Sequence, residues 1–98
     1  MTTLVLQMYP SKGTHEMFTF ICDSICTVIN LNREQFDVLH VEFVLSNGLN
    51  AYLYVVVEPQ KDTGVIIESI CKPIEMLDSV VIDPEIHIID GFLGSNNQ

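Results

Sequence analysis

Basic residues are what this chain most lacks. Four Lys and Arg stand against 13 Asp and Glu in 98 residues, a formal net charge of -9. Phosphate contacts from Lys and Arg supply most of the affinity of DNA- and RNA-binding proteins. Four such residues, each with acidic neighbours in sequence, cannot build that footprint. The summed field repels nucleic acid and anionic membrane and attracts basic protein surfaces. Long apolar runs are missing too: no stretch approaches the roughly 18 apolar residues of a membrane span. Met1–Leu6 has no basic region, and its apolar run is too short for a signal peptide, so a cytoplasmic protein is expected. Cysteine is sparse and odd in number, at Cys22, Cys26 and Cys71, which points to reduced thiols rather than a disulfide framework. A Gly-rich phosphate loop, a Ser-centred nucleophile elbow and an HExxH metal motif are all absent. Their absence weighs against an enzyme, and no cofactor is expected. Five Gly and four Pro leave no low-complexity linker, so the chain reads as one domain over residues 1–98, with 91–98 as a flexible tail.

What is present is apolar substance. Hydrophobic residues make up 48% of the chain, which separates it from disordered acidic tails, where high charge accompanies low hydrophobicity. Thr3 to Tyr9 alternates as a strand and stops at Pro10. Thr14 is placed to cap a helix over residues 15–31 whose first turn holds Glu16. In that helix Glu16, Thr19, Asp23, Thr27 and Asn30 fall on one polar face, opposite Phe18, Ile21, Cys22, Ile25 and Ile29. Phe36–Leu45 and Leu49–Glu58 flank Ser46-Asn47-Gly48 as a hairpin. A two-residue loop mixes apolar and polar side chains on both faces. A three-residue loop with Gly48 in the left-handed position pairs Leu45 with Leu49, Phe43 with Ala51, Val41 with Leu53 and Leu39 with Val55 on one apolar face. Val38, His40, Glu42 and Val44 then share the other face with Asn50, Tyr52, Tyr54 and Val56.

Beyond Pro59 the pattern is ambiguous. Val65 to Cys71 is rich in β-branched residues and favours a strand ended by Pro73, although a helix capped by Asp62 or Thr63 fits nearly as well. Val80–Ile82 and Ile86–Ile89 read as strands interrupted at Asp83-Pro84. The fold class is α+β, with one amphipathic helix packed on a mostly antiparallel sheet. If residues 65–77 are helical, the order becomes β-α-β-β-α-β, which is ferredoxin-like.

Three constellations bear on function. Cys22 and Cys26 lie one helical turn apart, but His15 is roughly 10 Å further along the axis at 1.5 Å per residue. The ligand count therefore falls short of a structural metal site. His40 and Glu42 project from the same side of one strand, as an acid–base pair requires, yet no nucleophile or oxyanion donor accompanies them, and no catalytic residue is assigned. Tyr52 and Tyr54 share the hairpin's outer face with His40, Glu42 and Asn50, and tyrosine is enriched at protein interfaces. Asp78, Asp83, Glu85 and Asp90 form the densest acidic stretch, without calcium-loop spacing. These nine residues are the candidate partner-binding set. The expectation is a non-enzymatic acidic binder of a basic protein surface, of the physical type of inhibitors, immunity or antitoxin proteins and viral host-factor blockers. That partner is taken to be a protein, such as a nucleic-acid-handling enzyme. The alternatives are a self-associating assembly subunit, dimeric through the hairpin's outer face, and a small enzyme or ligand-binding domain using His40 and Glu42.

Overall fold

The structure is a computed structural model. It describes residues 1–46, 50–83 and 87–90, with residues 89 and 90 described by backbone alone. The elements run β1 (Thr2–Pro10), α1 (His15–Leu31), α2 (Arg33–Phe36), β2 (His40–Leu45), β3 (Ala51–Val57), α3 (Thr63–Glu75), β4 (Val80–Ile82) and β5 (His87–Asp90). The sheet order is β2-β3-β1-β4, and β5 also pairs with β1. Every pairing is antiparallel. β3 occupies one edge of β1, so β4 and β5 follow each other along the opposite edge.

The α+β class holds, with α1 as the main helix on an antiparallel sheet. Its start follows from local chemistry: the Thr14 hydroxyl accepts from the Met17 amide, satisfying one of the donors that a helix N-terminus leaves unpaired. α3 is a second helix, in the segment where β-branched residues favoured a strand. Two features decide for the helix. The Asp62 carboxylate caps it by accepting from the Val65 amide at 3.2 Å, and Ile66, Ile67, Ile70 and Ile74 recur on one buried face. Pro73 does not end α3 but lies in its last turn. The resulting order and sheet are the ferredoxin-like β-α-β-β-α-β alternative.

One core forms where both helices meet the sheet. Leu4, Leu6 and Met8 of β1 and Leu53, Val55 and Val57 of β3 pack against Phe18, Cys22 and Ile29 of α1 and against Ile66, Ile70 and Ile74 of α3. α1 and α3 therefore cover the same sheet face. Burying side chains of this size contributes about 1.5–3 kcal/mol each relative to exposure.

The hairpin keeps its expected faces but not its expected register. Leu45 pairs with Ala51, Phe43 with Leu53 and Val41 with Val55, two residues away from the three-residue-loop pairing. A shift of two preserves which side each residue faces, because side chains alternate with period two. The Ser46 amide donates to the Asn50 carbonyl at 2.9 Å, and the Ser46 hydroxyl also donates to the Asn50 side-chain oxygen. The Gly48 bulge and Leu49 lie outside the described residues, as does the 91–98 tail. β2 starts later than expected because Phe36 belongs to α2 and Asp37 turns the chain at φ 61°. Val38 is consequently in the helix-side core rather than on the outer face, and Leu39 is exposed at the strand's entrance.

Candidate functional site: the outer sheet face

Alternation on the three paired strands builds the face opposite the helices as a grid. Cross-strand partners place His40, Val56 and Thr3 in one row. Glu42, Tyr54, Val5 and His87 form the next. Val44, Tyr52 and Gln7 follow, and the Asp83 amide extends that row by donating to the Gln7 carbonyl at 2.8 Å. Neighbours within a row are about 4.5–5.5 Å apart, and successive same-face residues about 7 Å. Tyr52 and Tyr54 thus stand side by side at the centre of the face.

The face is graded in exposure. Thr3, Val5 and Val56 are buried, Tyr52, Tyr54, His40 and Glu42 are half-buried, and Val44 and Val81 are exposed. None of the four Lys and Arg lies in these rows. Lys12 pairs with Asp78 (3.7 Å) in the connections flanking β1 and β4, Lys61 pairs with Asp37 (3.1 Å), Arg33 is on α2 and Lys72 on α3.

A hollow of about 150 Å³ opens between the third row and β5, lined by Val5, Leu6, Gln7, Tyr52, Asp83 and His87. It is smaller than the roughly 300–1,000 Å³ of small-molecule pockets, and its size suits a single inserted side chain.

The candidate residues divide as follows. Tyr52, Tyr54, His40 and Glu42 are brought together, and Asp83 joins them through Gln7. Asn50 sits at the hairpin end, its side-chain oxygen engaged by Ser46. Asp78 lies apart, in the turn before β4, where its carbonyl accepts from the Ser11 hydroxyl. Glu85 is outside the described residues, and Asp90 is described only by its backbone pairing with Thr2. Asp78 precedes β4 and Asp83 follows it. Sequence reasoning missed Gln7, Val5, Thr3 and His87 as members of this face. The alternation of Thr3, Val5 and Gln7 along β1 was visible, but their place beside the tyrosines depends on β1 pairing with β3, and that of His87 on β5 pairing with β1, both long-range choices.

Glu42 is unusual among these residues. One of its carboxylate oxygens is buried without a hydrogen-bond partner. It stands on the edge strand beside Val41, whose amide and carbonyl are both taken by the Asn30 side chain of α1, at 2.9 and 2.7 Å. This bridge closes part of the β2 edge against pairing with another chain.

The thiols are carried by α1 and α3. Burial pushes Cys22 up to about 11 and Cys71 to about 11, the latter with help from the Glu75 carboxylate. Cys26 is pushed to about 12 by burial first, then by Cys22, Asp23 and Glu42. Thiolate is the metal-binding form, so these environments disfavour ligation. Among the described residues, no group of three or more His, Cys, Asp or Glu is arranged to hold a metal ion, and no helix is long and apolar enough to cross a membrane.

Comparison with family models, curated proteins and solved structures finds no match to this chain.

Proposed function

We propose that the protein is a non-enzymatic binding module that docks its outer sheet face on a basic surface of another protein, in the manner of an inhibitor, an immunity or antitoxin protein, or a viral blocker of a host factor. The observation that carries this reading is the placement of Tyr54 opposite Glu42 and of Tyr52 beside Asp83 in the lining of one hollow, in rows that hold no Lys or Arg. The tyrosines supply anchoring area with polar tips. The hollow beside Asp83 and Tyr52 suits an inserted Arg or Lys side chain, where a carboxylate and an aromatic ring both favour a cation. The excess negative charge speeds encounter with a basic partner.

The test is capture from native lysate at low and high salt, with the wild-type chain and Tyr52→Ala/Tyr54→Ala as parallel baits. The expected result is one stoichiometric basic protein held by the wild type, reduced by salt and lost from the double variant. With that partner in hand, Tyr52→Ala raises the dissociation rate roughly tenfold or more, while salt mainly slows association. Capture of the same protein by the double variant removes the sheet face from the reading.

A further inference from the structure

The helix layer carries a second surface that sheet-face docking leaves unused. On α1, Phe18, Cys22, Cys26 and Ile29 enter the core, and the polar arc of Glu16, Thr19, Asp23, Thr27 and Asn30 occupies another side. The remaining side carries no charge. Along it Met17, Ile21, Ser24, Val28 and Leu31 recur at spacings of 4, 3, 4 and 3, the 3.5-residue period with which one helix packs along another. Phe20 flanks this seam at 71% exposure, and Val28 and Leu31 are 54% and 79% exposed. The seam's own Ile21, Ser24 and Val28, with Phe20 beside them, form one wall of a groove of about 360 Å³ between the helices, and Ile70, Pro73 and Leu77 form the other. No charged side chain lines it. Met76, next to Leu77, is 81% exposed.

One patch therefore carries both a protruding aromatic and an apolar hollow. Contact between two copies about a two-fold axis demands this self-complementarity, because each residue that inserts must find its receptor on the same surface. The area also suffices. Met17, Phe20, Val28, Leu31, Met76 and Leu77, at roughly 100 Å² of exposed apolar area each, bring about 600 Å², at the upper end of what a monomer shows. The groove lining takes the patch toward the ~800 Å² per partner of a standard interface. Ser24, the smallest residue of the seam, is also its midpoint, where two crossing helices approach most closely.

We propose that the chain forms a dimer in which α1 crosses α1 of a second copy at Ser24, with Phe20 of each copy seated in the α1–α3 groove of the other. No charged side chain lines the groove, and the mutual repulsion of two copies carrying net charge -9 is screened by salt. Salt accordingly strengthens this association, the reverse of its effect on sheet-face docking.

The test is sedimentation equilibrium of the full chain from micromolar to near-millimolar concentration at two ionic strengths, with circular dichroism as the check on folding. The expected wild-type mass climbs from 11.0 kDa to twice that value, at lower concentration when salt is added. Val28→Glu, at an exposed site, folds and weakens the dimer roughly tenfold or more. Ser24→Cys, made together with Cys71→Ser to remove the partly exposed native thiol, gives a disulfide-linked dimer on mild oxidation, because the two introduced thiols meet while native Cys22 and Cys26 are buried. A wild type that remains monomeric throughout overturns the proposal, whether or not some other partner occupies the groove. So does a dimer in which Ser24→Cys fails to cross-link. If Val28→Glu does not fold, Phe20→Ser takes its place in the same comparison, and a dimer unaffected by a folded variant counts equally against the interface.

Discussion

Cys26 gathers several consequences of the fold in one side chain. It is a small apolar filler in the core, yet Cys22, Asp23 and Glu42 all lie close enough to oppose its ionisation, after burial itself. A thiol whose folded pKa is raised keeps its proton when the unfolded chain has already lost it. The unfolded state then binds fewer protons, and stability falls with rising pH. The stabilisation is complete below the ordinary thiol value of 9.0 and is lost as pH climbs through about 11 for Cys22 and Cys71 and about 12 for Cys26. The expected outcome is a melting temperature that declines above pH 9, with a shallower decline in Cys26→Ala once its lower starting stability is subtracted. A decline of the same steepness in the variant would show that other groups govern the alkaline limb. Residue-scale features set by near neighbours were legible in the sequence: Thr14 caps α1 as its position relative to Met17 demands. Val38 was not, because its side depends on the left-handed turn at Asp37, a conformation the residue tolerates but does not announce.

At the scale of elements, α1 and α3 make an instructive contrast. α1 was readable to its ends because a polar arc, an apolar arc and an N-cap agree. α3 offered conflicting cues. Val65, Ile66, Ile67 and Ile70 favour a strand by propensity, and Pro73 suggests a stop, whereas the spacing of Ile66, Ile70 and Ile74 fits a helix that needs the sheet to bury it. Packing outweighed a propensity difference of well under 1 kcal/mol per residue. Asp62 is then the residue on which α3 most depends locally. Asp62→Ala leaves the Val65 amide unpaired and is expected to cost about 1 kcal/mol, lowering the melting temperature by about 4–8 °C. Calorimetry checks this, and a change within error would mean that tertiary contacts alone start the helix. The hairpin illustrates the opposite limit. Its faces were legible from alternation, but the pairing of Phe43 with Leu53 rather than Ala51 is a shift of two, which alternation with period two does not distinguish.

On the scale of the whole molecule, two helices on one side of the sheet leave two surfaces of different chemistry. One is acidic and aromatic, around Tyr52, Tyr54, Glu42 and Asp83. The other is apolar and uncharged, along Met17, Phe20, Val28 and Leu31. Tyr52, Tyr54, His40 and Glu42 could be grouped from the hairpin alone, since they lie within one supersecondary unit. Joining Gln7 and Asp83 to them required the β3-β1-β4 order, and recognising the second surface required knowing that the core consumes only part of the apolar arc of α1. Opposite salt dependences follow from this division and allow the two associations to be separated in one preparation. The most direct test of the sheet-face account is hydroxyl-radical footprinting of the chain alone and bound to the basic protein it captures, with oxidation quantified at individual side chains. The account predicts that Tyr52, Tyr54 and His40 become protected in the complex while Phe20 and Met76 are oxidised as in the chain alone; protection of Phe20 and Met76 with Tyr52 and Tyr54 unchanged would contradict it.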